Sequence, residues 1–268
     1  MGVRVWLAAA AMCAATMGLS GQTGAGAAPG DVGMMAADAD PDWDVVTVKP
    51  SDPNELEHSF MVRGRHVMVH NQTVEEMLMA GYSLQKDQIQ DAPEWVKTQR
   101  WDVDGLANVD GQPAIKQFQS MVRKLMLERF GLKEHTEQRE MPVFALTVGK
   151  EGPKLSPTKS AANALPREDV RSEAAGERTM EFTNISMRDF GVMMLYYADK
   201  PVVDHTGLTG KYDFTLKYTY DEERAPKDGS APPSIFTAVQ EQLGLKLEAM
   251  KAPADVLVVD RVERPEAN

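Results

Sequence analysis

Apolar residues return at Val74, Met77 and Leu78, the spacing that puts side chains on one face of a helix. Thr73 precedes this run and Glu76 follows three residues on, the pattern of a reciprocal N-terminal cap. The same arrangement recurs 113 positions later, with Ser186 and Asp189 as the cap and Met187, Phe190 and Met194 as the face. Each run is introduced by an asparagine, "NQTVEEMLMAGY" from Asn71 and "NISMRDFGVMMLYY" from Asn184.

Alternation marks the strands. In "YDFTLKY", Tyr212, Phe214, Leu216 and Tyr218 alternate with polar residues, as in a half-buried strand. "TQRWDV" at 98–103 answers "TGKYDF" at 209–214, so Trp101 and Tyr212 are expected under helices, with Asp102 and Asp213 on the opposite face. A second pair of helices is predicted downstream. One carries Ile115, Phe118, Val122 and Leu125 and stops at Gly131. The other carries Phe236, Val239 and Leu243 and stops at Gly244. A glycine just past a helix suits a left-handed terminating residue. "VFALTVGK" from Val143 and "VLVVDRVE" from Val256 close the two series as strands, again 113 apart.

The pattern predicts an α+β fold of two tandem similar lobes. Each is about β-α-β-α-β-β, with helices on one face of a small mixed or antiparallel sheet. The lobes are expected at 43–149 and 180–268. Residues 150–179 are polar, contain proline and lack an apolar period, and are read as a linker. Residues 28–42 are read as a flexible leader. Arg4, the apolar run from Val5 to Met17 and the small residues after it are read as a signal peptide over 1–27. That run is shorter than the roughly 20 residues of a membrane span, so no transmembrane helix is expected in the mature chain. Cys13, the single cysteine of the 268 residues, lies in the same segment. Thiol catalysis, disulfides and cysteine-bound zinc are thereby excluded from the exported form. A formal charge of −11 argues against nucleic acid, whose phosphates call for a basic face.

The stretches "LERFGLKEHTEQREMPVFALTVGKEGPKL", "VVDHTGLTGKYDFTL" and "SIFTAVQEQLGLKLEAMKAPADVLVVDRVERPEAN" carry a resemblance. Over residues 43–268 the chain resembles the soil-associated family of exported acidobacterial proteins, a domain of unknown function. The resemblance implies export from a bacterium, to the periplasm or beyond the cell, and assigns no catalytic residues. Some relatives attach a similar domain to a membrane metallopeptidase sensor. The unit is also similar, as a fold-level analogy, to the small N-terminal domains of secretins and TonB-dependent receptors.

Candidate chemistry is sparse. His66 and His70 share a strand face but stand about 13 Å apart at ~3.3 Å per residue, too far for one metal ion. Asp204 and His205 are adjacent and lack a serine in a nucleophile elbow, so the loop "PVVDHTGLTGKYDF" is read as a turn, with Gly207 and Gly210 supplying unusual backbone angles. "LTGKY" departs from the phosphate-loop spacing and "DVDGLANVDG" from the calcium-loop spacing. The glycosylation patterns at Asn71 and Asn184 are read as helix starts, and Met77, Met193 and Met194 as core. No catalytic, cofactor-binding or metal site is assigned. The expectation is a non-enzymatic binding or assembly module of the cell envelope, with an envelope protein or small ligand as partner. The alternatives are a periplasmic or secreted hydrolase and a sensory module related to peptidase-type receptors.

Overall fold

The computed structural model describes residues 33–161 and 166–266. The segment read as a signal peptide lies outside them. The chain is mixed α+β, with five α-helices among the described residues and three small, mostly antiparallel sheets.

The first half runs β1 (Trp43–Pro50), β2 (Ser59–Arg63), β3 (His66–Thr73), α1 (Val74–Tyr82), β4 (Ile89–Gln90), α2 (Glu94–Thr98), β5 (Arg100–Ala107), α3 (Ile115–Arg129) and β6 (Lys133–Val148). The second runs β7 (Ser156–Pro157), β8 (Arg167–Ala174), β9 (Glu177–Ser186), α4 (Met187–Met193), β10 (Val202–Asp204), β11 (Lys211–Thr219), α5 (Ile235–Leu243) and β12 (Leu245–Arg261). One outer sheet has the order β1-β5-β3-β2 and the other β7-β11-β9-β8. The central sheet is β10-β6-β12-β4.

Three expectations are corrected. The two closing strands of each lobe are one long strand, because β6 and β12 pair antiparallel along their whole length, from Leu245 opposite Val148 to Arg261 opposite Lys133. The segment 150–179 is not bare linker: it holds β7, β8 and the start of β9, and β8 pairs with β9 from Arg167 to Ala174. Residues 33–42, read as leader, lie against α3. Met35 is buried, and the Gln117 side chain donates to the carbonyls of Ala36 and Ala39 at 2.8 and 3.0 Å.

The helix reading holds where burial is strongest. Val74, Met77 and Leu78 are fully buried, as are Met187, Phe190 and Met194. Thr73 Oγ1 accepts from the Glu76 N–H at 3.1 Å while Glu76 accepts from the Thr73 N–H at 2.7 Å. Ser186 Oγ accepts from the Asp189 N–H at 3.1 Å. Gly131 and Gly244 have φ of 56° and 66°, left-handed angles at the ends of α3 and α5. Phe236, expected inside, is 36 % exposed. It leans on Phe144 with ring centroids 5.7 Å apart, and Ile235 is buried in its place.

Each strand-to-helix passage rests on a bulge. Val69 faces Val103 and Gln72 faces Trp101, so β3 carries one residue more than β5 between those pairs. Phe182 faces Phe214 and Ile185 faces Tyr212 with the same excess in β9. The passages hold Asn71 and Asn184 at φ 52° and 60°, a region that asparagine tolerates better than most residues. Asp102 Oδ1 accepts the Asn71 N–H at 3.0 Å, and Asp213 Oδ1 accepts the Asn184 N–H at 2.8 Å. The two aspartates expected to face outward thus hold the bulges. Trp101 is buried as expected, whereas Tyr212 is half-buried.

Two main cores result. Leu257 and Val259 of β12 pack in the first, among Trp101, Leu125 and Phe130. Leu146 of β6 packs in the second, among Phe182, Phe190 and Leu243. Each half therefore receives the end of the other's closing strand.

Burial raises the Asp102 and Asp213 carboxyls, but hydrogen bonds led by the Asn71 and Asn184 N–H groups outweigh it and leave both below the ordinary value of 3.8. Their contribution is therefore present above pH ~4 and is lost as pH falls through the lowered native values. Asp102→Ala and Asp213→Ala should each cost about 1–3 kcal/mol at pH 7, since each strands an N–H. The deficits should shrink on acidification, as followed by urea denaturation across pH.

Candidate functional site

The bulge at Asn71 forms one wall of a cleft of about 630 Å³. Its floor and rim come from Pro50 to Glu55 after β1, from Thr98 to Trp101 where α2 passes into β5, and from Arg264 beyond β12. The local sequence dictates this shape. Pro50 and Pro53 flank the turn after β1, and Pro53 cannot donate to a ladder. Ser51 N–H donates to the Arg100 carbonyl at 3.0 Å, closing the loop onto β5.

Asp102 organises the polar end. Besides Asn71 it accepts from Ser51 Oγ at 2.8 Å, and His70 Nδ1 lies 3.2 Å from the same oxygen. His70 Nε2 lies 3.7 Å from Glu55. The Glu57 N–H, then the Leu56 N–H, hold the Glu55 carboxyl below its usual range. Serine, histidine and aspartate are thus adjacent, but in the wrong order for nucleophilic catalysis. Ser51 gives its proton to the carboxylate, not to an imidazole base, and a nucleophile needs the base as its acceptor.

The opposite end is cationic. Arg264 Nε donates to Gln99 Oε1 at 2.7 Å, and its guanidinium stands 4.9 Å above the Trp95 ring. Its terminal nitrogens meet no carboxylate within ion-pair distance among the described residues. Arg100 donates to the Asn71 carbonyl at 2.5 Å and pairs with Glu76 at 3.2 Å. Trp101 lines the cleft, and its buried indole Nε1 has no acceptor. Arg100 already has the Glu76 carboxylate, so Arg264 is the guanidinium fixed by neighbours that suits a planar carboxylate, which it can meet with paired N–H donors.

The other sequence candidates separate. His66 pairs with Asp104 at 2.7 Å and His70 with Asp102 and Glu55, so the two histidines serve different carboxylates. No group of three metal-ligating side chains occurs among the described residues. Asp204 Oδ1 accepts from the Thr206 N–H and hydroxyl at 2.9 and 2.7 Å, a local turn. His205 is exposed and uses only its backbone, donating to Leu146 at 2.9 Å. Gly207 is left-handed at φ 69°, but Gly210 is not. A Cβ at 210 would sit 2.9 Å from the Tyr212 hydroxyl, the far end of a side chain that can swing aside, so this position does not demand glycine. Asn71 is buried, and its amide donates to the Glu55 and Glu57 carbonyls at 2.9 and 3.0 Å. The glycosylation pattern there is a structural corner. Sequence reasoning missed Arg264 and Ser51, and no local signal marks them. Arg264 reaches the cleft only because β12 ends beside it.

Residues 75–262 match the model of one family, described as a protein of unknown function (DUF3738). No curated protein and no solved structure matches the chain.

His205→Ala should change stability by less than about 0.5 kcal/mol, the range for an exposed side chain without a partner. Asp204→Ala should cost about 0.5–1.5 kcal/mol through its two turn hydrogen bonds. Paired urea denaturation curves give both values.

Proposed function

We propose, on the premise that this chain belongs to the DUF3738 family of proteins of unknown function, that it is an exported, non-enzymatic binding module of the cell envelope. The charged segment Arg4 and the apolar run after it support export, as does the resemblance to exported soil-associated proteins. No helix among the described residues is long and apolar enough to cross a membrane.

Its architecture is an internal duplication with exchanged closing strands. The support is register. Shifting β6 by 113 positions covers β12 from Lys246 to Arg261, and the same shift carries the pair Leu247 and Leu146 onto another pair of the ladder, Glu134 and Val259. The parallel pairs match too: Val202 with Phe144 and Ile89 with Leu257.

The cleft at the Asn71 bulge is the binding surface, and its ligand carries a carboxylate. The arrangement of Arg264 carries this reading. It is stacked on Trp95 and tied to Gln99, so its free nitrogens are held in place before a ligand arrives. Pre-ordering of that kind reduces the entropy lost on binding.

A thermal-shift and calorimetric series with acetate, succinate and glutamate tests this. A ligand at 100 times its dissociation constant adds about 2.7 kcal/mol, which raises the melting temperature by several degrees. Arg264→Ala should weaken binding about tenfold or more with little change in the unliganded melting point. Absence of any shift, or equal binding by Arg264→Ala, would remove the cleft from the account.

A further inference from the structure

A carboxyl group faces the second core. Glu168 on β8 stands opposite Phe182 on β9. Phe182 is buried in the second core, and directly opposed residues share a sheet face. In the first sheet the corresponding position, opposite Val69, is Phe60. Phe60 is buried and meets Phe118 edge-on at 6.0 Å.

Two more positions differ in the same direction. In the β11–β9 pairing Tyr218 stands where β5 has Ala107. Tyr197, past α4, stands where Leu84 follows α1. Tyr218 is buried and its hydroxyl donates to Tyr197 at 2.8 Å. The first half is apolar at all three places, and the second half has two phenols and a carboxyl.

Glu168 has no hydrogen bond or ion pair among the described residues. Arg178, opposite Tyr218 on β9, is the cation facing the cluster; it hydrogen-bonds the Tyr218 phenol, and its carboxylate partner lies elsewhere. It donates to Glu173 at 2.8 and 2.6 Å and stacks on Tyr220 at 4.4 Å. Asp169, the next residue on β8, adds like charge and pairs with Arg167 at 3.3 Å. β8 is the last strand of its sheet, held through β9 alone. Natural sheets use inward-pointing charges on such edges.

We propose that Glu168 is a proton-operated latch on β8. Protonated, the neutral carboxyl stays under the strand. Glu168 is half-buried; on ionisation the proton passes to solvent, and the bare carboxylate draws β8 off β9 toward water, because a charge set against an apolar core without a partner is costly. Burial pushes this carboxyl up to about 7, Arg178 draws it down by less, and Asp169 adds to the rise. Its native value lies above the unfolded one of about 4.5. The closed strand is therefore favoured most below that unfolded value and loses stability as pH rises through about 7.

Hydrogen exchange on the full chain, corrected for the intrinsic pH dependence of exchange, reads the latch. Protection of 167–174 should fall about tenfold to a hundredfold between pH 5 and pH 8.5, while 211–219 stays protected. Glu168→Gln should keep 167–174 protected at both pH values. Equal protection of the wild-type strand at both pH values would overturn the proposal. So would a Glu168→Gln profile that tracks wild type, or a loss that includes 211–219. The wild-type measurement decides even if the variant does not fold.

Discussion

The antiparallel pairing of β6 with β12 is the constraint on which the rest of the molecule depends. It runs from Leu245 opposite Val148 to Arg261 opposite Lys133. It is the element that carries each half into the other. Along it, Leu257 and Val259 reach the first core and Leu146 reaches the second. Without the ribbon each helix layer would lose one wall, and residues such as Phe130 and Leu243 would meet water. Burying side chains of this size contributes on the order of 1.5–3 kcal/mol each. The short strands β4 and β10 also have their only pairing on this ribbon, both in parallel. Pairing so distant in sequence carries a large loop-closure entropy, which only joint formation of both cores offsets.

The bulges are the second level of order. An asparagine in the left-handed region turns each strand into its helix, and an aspartate on the adjacent strand accepts its N–H. In the first half this geometry also shapes the cleft. Asp102 gathers Ser51 and His70 on one side, while the Asn71 carbonyl takes Arg100 on the other. The second half keeps the clamp but changes the surroundings, with Lys211 aligned to Arg100 and Gly210 to Gln99. Its distinctive polar groups lie instead at Glu168, Tyr197 and Tyr218. A polar surface cleft thus lies in the first half and polar groups at the core in the second.

What the sequence shows locally, the structure repeats. Thr73 and Ser186 cap helices, Gly131 and Gly244 end them, and Trp101 lies in a strand. These features depend on residues within a few positions of each other, so short patterns reveal them. The misreadings come from distant pairing. The closing element of each half reads as two strands because the partner that makes it one ribbon lies about a hundred residues away. Residues 167–174 read as linker because an edge strand needs little apolar content and this one turns a glutamate inward. Asp102 and Asp213 looked like outward-facing residues of an alternating strand, since the bulge that redirects them leaves no mark except the asparagine. The cleft was illegible for a related reason: Arg264, Ser51 and Arg100 come from three separate stretches that meet only in the folded chain.

The first core is completed by β12, the last strand of the chain's second half. Tryptophan fluorescence reads it directly, because Trp43, Trp95 and Trp101 all lie in the first half and the described second half has none. Leu257 is 1 % exposed and belongs to β12. Leu257→Ala should move the fluorescence-detected urea transition by about 2–5 kcal/mol, the cost of a large-to-small change in a packed core. An unshifted tryptophan transition, with destabilisation seen only in probes of the second half, would contradict a first core completed by β12.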